Sequence, residues 1–162
     1  MKTLFIIRHA KSDQSFLGND FERPLNERGK SDATMMANRL LDKKIKIDAL
    51  VSSPAVRAKK TAAAFAEILN IPQDGIILIS SLYQAPSQVF YEEIGVLPKN
   101  LNSLALFSHN PGITYFVNSL KTKTRIDNMP TCGIFAVSAN IELWAEFSKA
   151  QKEFLFFDYP KS

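Results

Sequence analysis

The chain has little of the chemistry that marks secreted, metal-binding or membrane proteins. It has one cysteine, Cys132, which excludes an internal disulfide and a cluster of thiolate metal ligands and is typical of a reducing compartment. No apolar run approaches the roughly 18 residues of a membrane span. The apolar run near the N-terminus has four residues and ends at Arg8, which is too short for the core of a signal peptide. We therefore expect a cytoplasmic protein without a membrane partner.

Glycine, proline and repeated sequence are also scarce. The chain has six glycines, eight prolines and no internal repeat, which excludes the collagen-like, solenoid and disordered classes. Its 162 residues, 46% of them hydrophobic, suffice for one well-buried core and are too few for two. We predict a single domain over residues 1–162, and we expect it to be a monomer.

A concentrated block of positive charge is missing as well. The net charge is +4, but the 20 basic residues are scattered along the chain. The densest group, Lys121, Lys123 and Arg125, is narrower than the basic surface that neutralises a nucleic-acid backbone. A solvated loop is the simpler interpretation of this group, and we expect no nucleic-acid partner.

The sequence does contain a regular alternation of strand and helix patterns. Short apolar runs predict strands at residues 4–7, 47–52, 76–79, 104–107 and 133–137. Apolar residues at helical spacing predict helices from Asn26 to about Lys44, from Pro54 to about Asn70, over residues 87–97 and from Pro111. Residues 141–147 and 153–157 are predicted to form a C-terminal strand hairpin. This order predicts an α/β three-layer sandwich, with a mostly parallel central sheet and helices on both faces.

Three of the predicted strands end in groups that can bind a phosphoryl group. Arg8 and His9 follow the first strand, Arg57 lies one helical turn after the second, and His109 and Asn110 follow the fourth. The carboxyl ends of parallel strands meet at one edge of the sheet, where ligands bind. A guanidinium group pairs bidentately with phosphate oxygens. Each residue alone could be structural, but their coincidence at strand ends predicts one shared active site.

Two predicted helix starts should add hydrogen-bond donors to that site. Pro54 and Pro111 suit the first helical position, and each follows a residue that can cap a helix, Ser53 and Asn110 respectively. A helix N-terminus carries partial positive charge and unpaired N–H groups. We therefore predict that both helix starts face the bound phosphoryl group.

Four stretches of the sequence resemble the motifs of the histidine phosphatase superfamily, which is also named for phosphoglycerate mutase. The stretches are Arg8-His9-Ala10, Arg23-Pro24-Leu25-Asn26-Glu27-Arg28-Gly29, Ser52-Ser53-Pro54-Ala55-Val56-Arg57-Ala58 with Thr61, and His109-Asn110-Pro111-Gly112. The resemblance runs from Leu4 to about Gly133. The short length, without a large cap insertion, is similar to the small bacterial phosphohistidine phosphatases of the SixA type.

The resemblance implies a phosphatase that needs no metal and no other cofactor. His9 would be the nucleophile, and Arg8, Arg57 and His109 would form the phosphate pocket, with Asn110 as a further substrate-binding residue. His9 must attack as a neutral imidazole, giving a covalent phosphohistidine that water then hydrolyses. The two guanidinium groups and a protonated His109 are expected to stabilise the negative charge that develops on the phosphoryl oxygens.

The sequence departs from the family pattern at two places. Ala10 replaces the glycine of the signature, which limits how closely the backbone can approach the phosphate. The family's usual acid lies after the third strand, but residues 81–85 contain no carboxylate. Glu92 and Glu93 follow on the surface of a predicted helix. Asp20, in the loop before the first helix, is therefore the candidate acid.

The missing carboxylate favours one class of substrate. An alkyl phosphate needs a positioned acid to protonate its leaving oxygen, whereas phosphohistidine can release a neutral imidazole. We therefore predict hydrolysis of phosphohistidine on a partner protein such as a phosphorelay domain. The alternatives are a phosphomonoesterase acting on a small phosphate ester and a phospho-binding regulatory module with little turnover.

Overall fold

Six strands form one central sheet in the computed structural model, which describes residues 1–161. The strands are β1 (Lys2–Arg8), β2 (Ala49–Ser52), β3 (Ile77–Leu78), β4 (Ser103–Ser108), β5 (Ile134–Ala139) and β6 (Glu153–Asp158). Their order across the sheet is β3-β2-β4-β1-β5-β6. The first four strands in this order are parallel, and β5 runs antiparallel to both β1 and β6. The predicted mostly parallel sheet is confirmed.

Four helices cover the two faces of the sheet, as the sequence predicted. They are α1 (Glu27–Asp42), α2 (Val56–Ile68), α3 (Ser87–Gly95) and α4 (Gly112–Ser119). Helices α1 and α2 pack on one face, and α3 and α4 pack on the other. No helix within residues 1–161 has both the length and the apolar character needed to cross a bilayer.

Strand β1 is buried on both faces because it lies in the middle of the sheet. Leu4 and Ile6 belong to the core under α3 and α4, while Phe5 and Ile7 belong to the core under α1 and α2. Successive side chains of a strand point to opposite faces, so a run of apolar residues serves both cores. Strand β1 ends at Arg8, at the carboxyl edge of the sheet.

The start of α1 agrees with the sequence prediction. The side chain of Asn26 accepts a hydrogen bond from the backbone N–H of Gly29 at 2.8 Å. The starts of α2 and α4 differ from the prediction. Helix α2 begins after Ala55 and α4 after Pro111, and neither has a side-chain cap. The hydroxyl of Ser53 and the amide of Asn110 are instead used in contacts described below.

The predicted strand over residues 141–147 is wrong. This segment forms a loop with a 3-10 turn, Trp144–Glu146, and β6 pairs with β5 instead. Ile141, Trp144 and Phe147 are buried, and the residues between them are exposed. Apolar residues three apart share one face of a turn, whereas a strand would alternate them. The spacing of these apolar residues is therefore that of a helical turn, whereas the strand prediction depended on their apolar content.

A close backbone contact joins the start of α4 to the segment before α3. A Cβ at Gly112 would overlap the carbonyl oxygen of Ala85. Glycine is needed here because of this close approach and not because of its backbone conformation, since its φ angle is not positive. The contact holds the two loops that carry His109 and Tyr83 against each other.

We expect Gly112→Ala to destabilise the fold by about 1–3 kcal/mol, because the added methyl group forces the two backbones apart. Gly75→Ala is the matched control, since a Cβ at Gly75 would lie 4.0 Å from its nearest neighbour. Urea denaturation of both variants measures the difference. Equal stability of the two variants would show that the close contact is not a constraint.

Candidate active site

The chain's two histidines lie side by side at the carboxyl edge of the sheet. Arg8 pairs with Ser108 in the parallel register of β1 and β4. The next residue on each strand, His9 and His109, therefore emerges at the same level, and the ring centroids are 5.1 Å apart. Both side chains are buried, with 5% and 6% of their surface exposed. The structure thus brings together the strand ends that the sequence singled out.

His9 is held in one defined form. Its Nδ1 lies 2.7 Å from the carbonyl oxygen of Ala10, which can only accept, so Nδ1 carries the proton and Nε2 carries a lone pair. Burial lowers the pKa of His9 to about 3, and the charges of Arg8 and Arg57 act in the same direction. The ring is therefore neutral at physiological pH. This is the form that a nitrogen nucleophile needs.

The turn after β1 is fixed by backbone hydrogen bonds. The N–H of Ala10 donates to Thr61 Oγ1 at 3.0 Å, and the Thr61 hydroxyl donates to the carbonyl of Arg57 at 2.7 Å. The N–H of Cys132 lies 3.1 Å from the carbonyl oxygen of His9. Thr61 thereby ties the nucleophile turn to the first turn of α2, which carries Arg57. Because the N–H of Ala10 donates to Thr61, it is not available as a donor to a ligand.

Two guanidinium groups, those of the half-buried Arg8 and the buried Arg57, act electrostatically on His9. Arg57 is 5% exposed, and its two terminal nitrogens donate to Asp20, one to the backbone oxygen at 2.7 Å and one to Oδ2 at 2.9 Å. A terminal nitrogen of Arg8 donates to the carbonyl of Met129 at 2.9 Å. The Nε atoms of Arg8 and Arg57 are both buried without a partner among the described residues. Burial and then repulsion from Arg57 lower the pKa of Arg8. The site therefore has an excess of positive charge, which a bound anion would offset.

His109 differs from the prediction. Burial, followed by the charge of Arg57, lowers its pKa to about 3, so the ring is neutral in the free site rather than protonated. Its Nε2 lies 2.8 Å from Ser53 Oγ, and its Nδ1 is buried without a partner in the described part of the chain. His109, predicted as a third cation beside the two guanidinium groups, is thus a neutral ring whose Nδ1 has no partner among the described residues.

Asp20 reaches the site but not in the form predicted. The carboxylate accepts hydrogen bonds from Tyr83 at 2.7 Å, from Arg23 at 2.8 Å and from Arg57 at 2.9 Å. The Tyr83 hydroxyl and then the two guanidinium groups hold the pKa of Asp20 well below its usual range. The same hydrogen bond raises the pKa of Tyr83. An ionised carboxylate has no proton to give, so the structure does not support the role of acid.

The side chain of Asn110 forms hydrogen bonds within the protein. The Asn110 amide nitrogen donates to Asn128 and to the carbonyl of Met129, and its oxygen accepts from Thr114 at 2.6 Å. The side chain therefore holds the loop together and has no free amide hydrogen for a substrate. Glu93, on α3, accepts an exposed hydrogen bond from the Ser81 hydroxyl at 2.9 Å.

A cleft of about 720 Å³ opens beside His109 and Arg57. Its walls include Tyr83 and Tyr115, of which Tyr115 is 66% exposed at the mouth. The sequence analysis did not select Tyr83, and it considered Ser53 as a helix cap rather than as a partner of His109. Their hydrogen bonds to Asp20 and His109 join residues 63 and 56 positions apart, which no local pattern reveals. Within residues 1–161, no group of three or more His, Cys, Asp or Glu side chains could hold a metal ion.

The two buried histidines should make the protein sensitive to acid. An unfolded histidine titrates near 6.5, but the folded state keeps both rings neutral down to about pH 3. The unfolded state therefore binds more protons in this interval, and the free energy of unfolding falls as the pH falls from about 6.5 to about 3. We expect this loss to be smaller in a His9→Gln/His109→Gln variant. Urea denaturation at a series of pH values, followed by the fluorescence of the single buried Trp144, measures it. Identical pH dependence in both proteins would contradict the depressed pKa values.

Comparisons with known proteins agree with this geometry. Residues 4–75 match the sequence model of the histidine phosphatase superfamily (branch 1). Phosphohistidine phosphatase SixA of Escherichia coli (strain K12) is 27% identical over 125 residues, which cover 72% of this chain and 73% of that protein.

Solved structures share the fold along nearly the whole chain. The protein histidine phosphatase SixA complexed with tungstate superposes with a TM-score of 0.83 at 23% identity, covering 98% of this chain and 97% of that one. A mycobacterial glucosyl-3-phosphoglycerate phosphatase superposes with a TM-score of 0.68 at 15% identity, covering 98% of each chain. In sequence and in fold, the chain is therefore similar to the histidine phosphatase superfamily and to its SixA-type members.

Proposed function

We propose that this phosphatase hydrolyses phosphohistidine on a partner protein through a covalent phosphohistidine intermediate on His9. The observation that carries the proposal is the buried, neutral ring of His9, whose Nε2 lone pair lies beside two guanidinium groups with unused Nε donors. Buried donors without partners cost free energy in the absence of a ligand. A phosphoryl group would satisfy them and would sit next to the nucleophile.

The first step is attack of the Nε2 lone pair of His9 on phosphorus. The Nε2–P bond forms, the bond from phosphorus to the leaving group breaks, and its electron pair stays on the leaving atom. The ring of His9 becomes positively charged, which strengthens the Nδ1–H hydrogen bond to the carbonyl of Ala10. Water then attacks the phosphorus and inorganic phosphate leaves. The electron pair of the Nε2–P bond returns to His9, which is neutral again.

Arg8 and Arg57 would stabilise the charge that spreads over the phosphoryl oxygens. Both side chains are fixed before the substrate binds, Arg8 by Met129 and Arg57 by Asp20. Groups that are already oriented need no reorganisation during the reaction, which is the main source of electrostatic catalysis. Asp20 thus has the role of orienting Arg57, rather than that of an acid.

The leaving group favours phosphohistidine over an alkyl ester. Asp20 is the carboxylate that contacts Arg57 in the cleft, and it is ionised. When the other ring nitrogen of phosphohistidine is protonated, the imidazole leaves as a neutral molecule and needs no further acid. The name of the E. coli relative, phosphohistidine phosphatase SixA, supports the same substrate class. A neutral nucleophile beside two oriented cations favours catalytic turnover over a protein that only binds the phosphoryl group.

Arg57→Ala should lower kcat/KM by at least about 100-fold, because the clamp acts on charge that develops in the transition state. Arg125→Ala is the matched control, since Arg125 is an exposed side chain that does not line the cleft, and we expect a change of less than about threefold. Steady-state hydrolysis of a phosphohistidine peptide measures both. A loss of less than about tenfold in Arg57→Ala would place Arg57 outside the site.

The role of Asp20 predicts a pattern across leaving groups. The wild type should cleave a phosphohistidine peptide and an aryl phosphate, and should cleave an alkyl phosphate poorly. In Asp20→Asn, with Asp13→Asn as a control in the same loop, the ratio of alkyl to aryl cleavage should change by less than about threefold.

Rates of the three substrates, measured in parallel, decide between the roles. An acid role for Asp20 would lower alkyl cleavage alone by about 10²- to 10⁴-fold. Efficient cleavage of alkyl phosphates by the wild type would favour a phosphomonoesterase of small metabolites and would contradict the proposed substrate.

A further inference from the structure

The hydroxyl of Ser53 makes a hydrogen bond that the proposed mechanism does not yet use. Ser53 is fully buried, and its Oγ lies 2.8 Å from Nε2 of His109. The same Oγ accepts a hydrogen bond from the backbone N–H of Ala55 at 3.2 Å. The backbone N–H of Ser53 donates to the carbonyl of Phe107 on β4 at 3.0 Å, which fixes the residue against the strand that carries His109.

The direction of the bond between Ser53 and His109 follows from counting protons. A serine hydroxyl has one proton and two lone pairs, and a neutral imidazole has one N–H and one acceptor nitrogen. One lone pair of Ser53 receives the N–H of Ala55, and the proton is left to donate. The nearby acceptor is Nε2 of His109, so Nε2 carries the lone pair and the ring proton resides on Nδ1.

The opposite direction leaves a hydroxyl proton unused. If Nε2–H donated to Ser53, the Ser53 proton would need another acceptor, and within residues 1–161 its hydroxyl has contacts only to the Ala55 N–H and the His109 ring. A buried donor without a partner is costly. The first arrangement avoids this cost at Ser53 and leaves one buried donor, the Nδ1–H of His109, without a partner among the described residues.

We propose that Ser53 is a positioning residue that holds His109 as the Nδ1–H tautomer, so that the neutral ring donates a hydrogen bond to a substrate phosphoryl oxygen. The proposal rests on the proposed function, because it assigns the bound anion to the phosphoryl group attacked by His9. The other tautomer would present the Nδ1 lone pair to an anionic oxygen, which is repulsive. Ser53 therefore decides whether His109 attracts or repels the substrate.

The arrangement also accounts for a neutral His109 in a phosphate pocket. The ring lies beside Arg57, whose charge disfavours protonation, and it is buried at 5.1 Å from the ring of His9. A protonated His109 would add a third positive charge beside those of Arg57 and Arg8, both of which repel it. A neutral donor with a fixed tautomer supplies the hydrogen bond without the added charge.

The test is the position of the ring proton in ¹⁵N-histidine-labelled protein, read from long-range ¹H–¹⁵N NMR spectra with and without inorganic phosphate. In the wild type we expect His109 to carry its proton on Nδ1 in both conditions. In Ser53→Ala we expect a mixture of tautomers or a shift to Nε2–H, with kcat/KM lower by at least about tenfold. Ser108→Ala is the matched control, because Ser108 loses an equally buried hydroxyl that donates to Leu82 and does not contact the ring of His109.

The outcomes separate this proposal from the proposed function. A wild-type His109 that carries its proton on Nε2 overturns the role of Ser53 even if no variant folds. Equal effects of Ser53→Ala and Ser108→Ala on tautomer and turnover also overturn it. Activity is measured with an aryl phosphate as well as a phosphohistidine peptide. Wild-type protein that shows the Nδ1–H tautomer but does not hydrolyse the peptide would refute the substrate and leave the role of Ser53 standing.

Discussion

The hydrogen bond from Nδ1 of His9 to the carbonyl oxygen of Ala10 is the interaction on which the rest of the site depends. A carbonyl can only accept, so this bond assigns the ring proton and directs the Nε2 lone pair outward. The bond exists because the chain turns immediately after β1, and Thr61 and Cys132 hold that turn through the N–H of Ala10 and the carbonyl of His9. A local backbone constraint thereby gives His9 the tautomer that the proposed nucleophile requires.

Burying the ionisable groups of this site together costs free energy of folding. Arg57 and the two imidazoles are buried beside the half-buried Arg8, and the pKa values of both histidines are lowered to about 3. Asp20 offsets part of the positive charge from the rim, where its side chain is 51% exposed. The unused Nε donors of Arg8 and Arg57 remain for an anion. The free protein thus holds unsatisfied donors that a phosphoryl group would satisfy, which links anion binding to the stability of the fold.

The parts of the structure that the sequence predicted are those set by local patterns. The apolar run of β1, the cap at Asn26 and the parallel order of strands and helices together place His9 and His109 on one edge of the sheet. The parts that it missed depend on tertiary contacts. Ser53 and Asn110 are residue types that commonly cap helices, but their side chains form hydrogen bonds with His109 and with the carbonyl of Met129 instead. The ionised state of Asp20 depends on Tyr83, 63 residues further along the chain.

The most direct measurement is the chemical identity of the trapped intermediate. Wild-type protein labelled with ¹⁵N-histidine is mixed with substrate, quenched in alkali and analysed by ³¹P NMR and by mass spectrometry of its peptides. The account predicts a phosphoryl group on His9 whose phosphorus is coupled to Nε2, because Nδ1 is occupied by its bond to Ala10. A phosphoryl group on Nδ1 or on another residue, or full turnover without any phosphoprotein, would contradict it.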